Sequence, residues 1–282
     1  MHVTDYSKYY KKAPEELSSA ELKHLLTYFE LLGQVQNPIV SLVIPVFRAK
    51  DSLLAHICSL SHLKTIIPYE VIFVDNNADR ETLKILNTLG AKIVKEERQG
   101  ITHARQKGLE ASKGGIICTM DPDSIYDRYY IDKMVLPFFD NPNVVMCYSV
   151  SKSYEKDFRL SQRMQIRNWL KVKYFSWRLT QSFENSIKYI RAVAMSIRKE
   201  AIISFGYPTD LKAVSGCDDG MLAMQLNTVG AFKFVDVDVY TALPPPREPG
   251  RPFPFCNERF LLKKPESMER TMQELEIEKA PK

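Results

Sequence analysis

The chain has 282 residues, 45% of them hydrophobic and 26% charged, values of an ordinary folded protein that exclude wholesale disorder. With 11 Gly against 16 Pro, collagen-like and Gly-rich linker architectures fall away, and no apolar run approaches the ~18 residues a membrane helix needs. The net charge is +5, but residues 151–200 carry twelve Lys/Arg against four Asp/Glu, so a partner engaged through charge is expected there. In chain order, the spacing of Leu22, Leu25, Leu26, Phe29 and Leu32 predicts a helix over 14–36 that starts at Pro14 and closes at Gly33. Strands are predicted at Val40–Phe47, Glu70–Asp75, Lys92–Val94, Ile116–Met120 and Val144–Val150. Helices are predicted between them at Asp51–Lys64, Arg80–Leu89, Ile101–Ser112 and Tyr129–Phe139. Apolar strands without polar alternation, separated by helices, imply a mostly parallel sheet covered on both faces. Downstream come a basic helical segment (156–180), a strand at Ala192–Ile197, a helix at Asp218–Thr228, one closing strand at Phe232–Val239, a Pro-rich loop (244–254) and an acidic helical tail (265–279). This is an α/β domain with helical extensions at both ends.

The five cysteines (Cys58, Cys118, Cys147, Cys217, Cys256) are odd in number and form no CxxC pair, so buried reduced thiols are expected. His2, His24, His56, His62 and His103 show no zinc-ligand spacing with them. The first eight residues have no apolar core behind their charges, so no signal peptide is expected and the predicted location is cytoplasmic.

Ligands of open parallel sheets bind beyond the carboxyl ends of the strands, where strand order reverses. The segments that follow the strands are Pro45-Val46-Phe47-Arg48, Asp75-Asn76-Asn77 and Asp121-Pro122-Asp123-Ser124, so three acids, one aromatic and one Arg are expected at one edge. GxGxxG after the first strand, GxxxxGK[ST] and GxSxG are all absent, which excludes a dinucleotide fingerprint, a P-loop and the usual α/β-hydrolase elbow. Asp121 and Asp123 suit Mg²⁺ or Mn²⁺, which take one or two carboxylates and complete their shell with diphosphate oxygens, although the same residues also read as a turn. Asp218-Asp219 opens a helix. There the N-cap reading stands beside one in which one acid caps and the other projects as a base.

Together these blocks resemble a family 2 inverting glycosyltransferase of the GT-A fold, of the bacterial polysaccharide- or glycan-synthesis type. The resemblance runs from Val40 to about Val239 and is carried by VSLVIPVFRAKDS (40–52), EVIFVDNN (70–77), QGITHARQKGLEASKGG (99–115), Asp121-Pro122-Asp123, residues 192–199 and GCDDGMLAMQL (216–226). It implies a GT-A domain over 38–256, nucleotide-binding to about 125 and acceptor-binding after it, with an N-terminal extension (1–37) and a C-terminal tail (257–282). It also implies that Pro45 and Phe47 flank the nucleotide, Asp75 accepts from the base, and Arg105 holds the nucleotide loop or diphosphate. Asp123 would be the principal Mn²⁺ or Mg²⁺ ligand, with Asp121 on the ribose or the metal, and Asp219 the general base supported by Asp218. The implied reaction moves a sugar from a nucleotide-diphospho-sugar, with UDP expected, to a glycan or lipid-linked hydroxyl with inversion. Arg48, Gln106 and Arg191 depart from the family pattern, Arg191 by the acceptor. No His follows the last strand, where Tyr240 and Thr241 stand.

In the basic segment, Arg159, Arg163, Arg167 and Lys171 recur every four residues, with Phe158, Met164, Trp169, Val172, Phe175 and Leu179 roughly opposite. Leu170, Tyr174 and Trp177 stray on to the basic side. Two readings follow, peripheral contact with an anionic membrane or a helix packed over the acceptor half with solvated cations. Nucleic acid is not expected, because no recognised binding module accompanies the local charge. A nucleotidyltransferase would need a Gly-rich GxGTR-type loop that is missing. A non-catalytic glycan- or nucleotide-binding relative stands as the alternative. The Pro-rich loop is expected to close over the donor.

Overall fold

The computed structural model describes residues 3–179, 190–209 and 218–243. The Pro-rich loop, the acidic tail, Cys217, Cys256 and the side chains of Trp177 and Leu179 lie outside the described residues. The N-terminal segment forms 3-10 turns at Val3–Tyr9 and Pro14–Glu16 and then helix α1 (Ser19–Gly33). Pro14 opens the short turn and not the helix. Ser18 caps α1, its Oγ accepting from the Glu21 N–H at 3.3 Å while the Glu21 carboxylate accepts from the Ser18 N–H at 3.1 Å, and this reciprocal box fixes where the helix begins. Leu25 and Phe29 of α1 join Tyr6 and Tyr9 in the same buried cluster as the first strand.

The predicted alternation follows as β1 (Val40–Val46), α2 (Leu53–Leu60), β2 (Tyr69–Asp75), α3 (Arg80–Thr88), β3 (Ile93–Lys95), α4 (Ile101–Ala111) and β4 (Ile116–Thr119). The second half comprises β5 (Ser124–Tyr126), α5 (Tyr130–Asp140), β6 (Val144–Tyr148), β7 (Lys152–Tyr154), α6 (Gln162–Leu179), β8 (Met195–Arg198), α7 (Lys199–Ile202), α8 (Asp218–Asn227), β9 (Ala231–Phe234) and β10 (Val239–Ala242). The main sheet runs β3-β2-β1-β4-β8-β6-β9, every pair parallel except those made by β8. A smaller sheet, β5-β10-β7, lies beside it.

Both faces of the main sheet are covered, as the continuous apolar strands require. Leu42, Ile44 and Val46 pack with α2 on one face, while Val43 packs with Ala104 and Leu109 of α4 on the other. Cys58, Cys118 and Cys147 are buried free thiols. The predicted closing strand is in fact two strands in two sheets. Phe232 and Phe234 pack against one core cluster and Val237 and Val239 belong to the other, so the run must break between them to change faces. The strand predicted at Ala192–Ile197 starts later, because Ala192–Ala194 forms a 3-10 turn closed by the Ala194 N–H on the Arg191 carbonyl at 3.0 Å.

Helix α6 corrects the reading of its faces. Arg159 precedes it and so is not part of a helical stripe. Asn168 faces inward, exchanging hydrogen bonds with the Ser153 backbone at 2.7 and 2.9 Å, and Lys171 donates to the Ser151 carbonyl at 2.6 Å. Met164 is buried beside them. The outward face carries Ile166, Trp169, Leu170 and Tyr174, which are 59%, 55%, 54% and 48% exposed. Trp169, read as lying roughly opposite the basic stripe, holds the Lys173 ammonium 4.4 Å from its ring centroid. Among the described residues no helix is long and apolar enough to cross a membrane.

The α4–β1 contact is tight: a Cβ on Gly108 would lie 2.2 Å from Val43 Cγ1. Gly108→Ala is therefore expected to destabilise the fold by about 1–3 kcal/mol through overpacking. Denaturant unfolding measures this, and an unchanged midpoint would contradict it.

Candidate active site

The chain runs outward from β1 to β2 and β3, then returns to β4 on the other side of β1. This reversal opens a cleft beyond Val46 and Thr119. A cavity of about 420 Å³ occupies it, lined by Pro45 of β1 with Phe47 and Arg48 just after it, by Asp121, Pro122 and Asp123 after β4, and by Ile101 and Arg105 of α4. Phe47 is 38% exposed, with the Arg48 guanidinium 5.0 Å from its ring centroid.

Arg105 joins the two halves of the chain. Its NH1 donates to Asp218 at 2.5 Å and to Asp219 at 2.9 Å, and its NH2 lies 3.7 Å from an Asp121 oxygen. Burial opposes the charge on Arg105, but Asp219, Asp121 and Asp218 outweigh it and hold the guanidinium protonated. Burial pushes the Asp121 carboxyl up to about 7 against the pull of Arg105, with Asp123, Asp219 and Asp218 adding to the rise. Burial also raises Asp123, which hydrogen bonds from Ser124 and Thr241 partly offset. Asp218 is raised by burial first and then by the charge of Asp219.

Asp219 is held at both ends. One oxygen takes the Arg105 bond and the other accepts from the Ala192 N–H at 2.9 Å. Arg191 therefore flanks the residue that orients Asp219, and its guanidinium donates to the Ile190 carbonyl at 3.1 Å. Asp75 is not among the residues that line the cavity. It pairs in register with Val46, and its Oδ1 accepts from the Ala78 N–H at 2.8 Å. Gln106 ties two segments, accepting from the Tyr207 N–H at 2.8 Å and donating to Glu110 at 3.0 Å.

Several contributors went unread in the sequence. The Asn76 amide donates to the Arg98 carbonyl at 2.7 Å and accepts from the Gly100 N–H at 2.8 Å. That pins the loop entering α4, where Gly100 has φ 144°, a conformation that favours glycine. Ser52 donates to the Pro122 carbonyl at 3.1 Å, and Tyr154 donates to the Asp123 carbonyl. His56 meets the Ser124 carbonyl at 2.8 Å through Nδ1, and burial lowers its pKa to about 4, so the neutral ring donates there. An Asx-type residue directly after a strand is the sort of local signal that could have marked Asn76.

The family named Glycosyl transferase family 2 matches residues 41–204, more than half of the chain, and the protein belongs to that family. Among curated proteins it is similar to the "Putative glycosyltransferase EpsH" of Bacillus subtilis, with 26% identity over 163 residues, covering 51% of this chain and 46% of that protein. It is also similar to the glycosyltransferase AglE of Haloferax volcanii, with 28% identity over 107 residues, covering 35% of this chain and 34% of AglE. These matches thus span less than half the length of either relative. Among solved structures, the mannosyltransferase PcManGT of Pyrobaculum calidifontis, in complex with GDP-Man and Mn²⁺, superposes with a TM-score of 0.57 at 16% identity, over 86% of this chain and 69% of that one. S. aureus TarS 1-349 with UDP-GlcNAc gives 0.54 at 15% identity over 76% and 61%. The fold is GT-A, with the mostly parallel sheet and flanking helices that the sequence implied.

Replacing Arg105 by Met would leave Asp121, Asp218 and Asp219 buried without their shared cation, with an expected stability loss of about 3–5 kcal/mol at neutral pH. The folded pKa values of Asp121 and Asp218, already raised by burial, would rise further without the Arg105 charge. The folded state would hold more protons, and the loss should shrink as pH falls from 7 to 5. Denaturant unfolding of both proteins at the two pH values tests this: a loss that grows on acidification would refute it.

Proposed function

We propose that the protein transfers a sugar from a nucleotide-diphospho-sugar, with UDP as the nucleotide, to a hydroxyl of a glycan or lipid-linked acceptor with inversion. The observation that carries this reading is that Arg105, in the cleft lined by Asp121 and Asp123, also grips Asp218 and Asp219. Solved neighbours carrying UDP-GlcNAc and GDP-Man support a nucleotide-sugar donor. Pro45 and Phe47 would flank the nucleotide, and Asp75, one strand over, would accept from its base. Arg105 Nε is buried without a hydrogen-bond partner among the described residues, which leaves it a donor for a ligand oxygen.

The donor set fits a divalent cation, since Asp121 and Asp123 line the cavity as hard oxygen ligands and burial holds both short of positive charge. Asp123, with Asp121, would hold Mn²⁺ or Mg²⁺, which when bound supplies Lewis-acid neutralisation of the departing diphosphate. Asp219 serves as the base. Each of its oxygens already accepts one donor, which fixes its orientation and leaves lone pairs for the acceptor hydroxyl proton. Asp218 shares the Arg105 clamp and supports it. Attack from the face opposite the leaving diphosphate inverts the anomeric centre in one displacement.

Calorimetric titration of UDP, with GDP as control, in Mn²⁺ and then in EDTA tests the donor. Metal-dependent binding of UDP over GDP is expected, and binding of neither would overturn the reading. Asp219→Asn should keep nucleotide binding and lose about 10²–10⁴-fold in turnover. A non-catalytic binding relative would instead show no turnover in either protein.

An acceptor displayed at an anionic membrane suits helix α6. Its sequence carries five cations, Arg163, Arg167, Lys171, Lys173 and Arg178, and no Asp or Glu, and its outward face interleaves Ile166, Trp169, Leu170 and Tyr174 with Arg163, Arg167 and Lys173. Co-sedimentation with anionic vesicles at low salt should fall several-fold in the double variant Trp169→Glu/Leu170→Glu and should be weak with neutral vesicles. Equal sedimentation of variant and parent would remove the membrane from the proposal.

A further inference from the structure

The loop that carries Asp121 and Asp123 is tied down at successive backbone groups by buried or half-buried side chains: Ser52 on Pro122, Tyr154 on Asp123 and His56 on Ser124. These three anchor the loop alone. Tyr126 also engages it, accepting from the Asp121 N–H at 3.1 Å, but the same hydroxyl donates to the Val193 carbonyl at 3.0 Å. Val193 lies in the Ala192–Ala194 turn, whose Ala192 N–H holds Asp219 at 2.9 Å. A closed ring results: Asp121 backbone, Tyr126 hydroxyl, the 192–194 turn, the Asp219 carboxylate, Arg105 and the Asp121 carboxylate.

We infer that Tyr126 is a positioning residue that sets the separation between the donor loop and the base. This inference rests on the roles proposed for Asp121 and Asp219 above. Ion pairing through Arg105 alone leaves that separation soft, because NH2 and Asp121 stand at 3.7 Å and a long side chain intervenes. The Tyr126 link is stiff. Its ring is 3% exposed and wedged edge-on between His56, at 5.8 Å, and Tyr130, at 4.8 Å between centroids. Reactions of this class lose about 10²-fold for misplacement on the order of 1 Å, so a link of this kind acts on turnover more than on donor affinity.

Tyr130 supplies a matched control. It is fully buried beside Tyr126, yet its hydroxyl has no hydrogen-bond partner among the described residues. Tyr126→Phe and Tyr130→Phe each remove one buried oxygen, but only the first cuts the ring. Donor turnover, as transfer or hydrolysis of the UDP-sugar, should fall about ten- to hundredfold in kcat in Tyr126→Phe with KM little changed. Tyr130→Phe should match the parent. In deuterium exchange, peptides spanning 117–126 and 190–197 should lose protection together in Tyr126→Phe and in neither case in Tyr130→Phe. Parental kcat, or loosening of only one of the two segments, would overturn the inference. If the parent protein neither binds nor turns over a nucleotide-sugar, the proposed function fails, and the exchange result alone then decides whether Tyr126 couples the two segments. Should Tyr126→Phe not fold, exchange of the parent under rising denaturant replaces it: the two segments must open at one concentration, and separate opening refutes the coupling.

Discussion

The organisation of the site depends on one guanidinium shared among three carboxylates. Asp121, Asp218 and Asp219 converge on Arg105, with Asp123 nearby, so the cleft holds more negative than positive charge in a region shielded from water. Such an arrangement is costly unless each charge is compensated, and burial raises the Asp121 carboxyl against the pull of Arg105, so the one cation offsets only part of that cost. Much of the scaffold serves to deliver Arg105. Asn76 fixes the loop before α4, Gly100 turns the chain into the helix, and Gly108 lets α4 lie directly on Val43.

The fold was legible because β1, β2 and β4 are apolar on both faces and separated by helix-length segments, a pattern that only a covered parallel sheet satisfies. The two acidic pairs were legible because each follows or opens an element at the carboxyl edge. What the sequence left hidden was the wiring between them. Arg105 was expected on the nucleotide side, yet its described hydrogen bonds go to the acids of the other half, 113 and 114 residues away. Tyr126, at the end of β5, carries no local mark of a bridging role. Its role depends on a carbonyl 67 residues later, and no local periodicity encodes a contact of that range.

Helix α6 shows a different limit. Periodicity reports that a helix has two kinds of face, but not which of them the protein covers. Here the covered face is partly polar, with Asn168 and Lys171 satisfied by backbone groups of residues 151–153, while Trp169 and Leu170 turn outward. Backbone partners near β7 make this inversion affordable, since a buried amide with two good hydrogen bonds loses little on leaving water. The breaks at Ala192–Ala194 and between β9 and β10 have a similar origin, because each lets the chain satisfy a distant partner at the expense of strand continuity.

Strand β8 has a consequence for how the molecule assembles. It lies between β4 and β6, although it follows both in the chain by tens of residues. During synthesis the first half can pair β1, β2, β3 and β4 unaided, but β4 and β6 each keep an open edge until Met195–Arg198 has emerged and inserted between them. Open edges of buried, apolar strands invite pairing with one another or with a neighbouring chain. The nascent protein thus passes through an interval in which its first four strands can pair, its central seam is unfilled, and Asp219 has yet to be made.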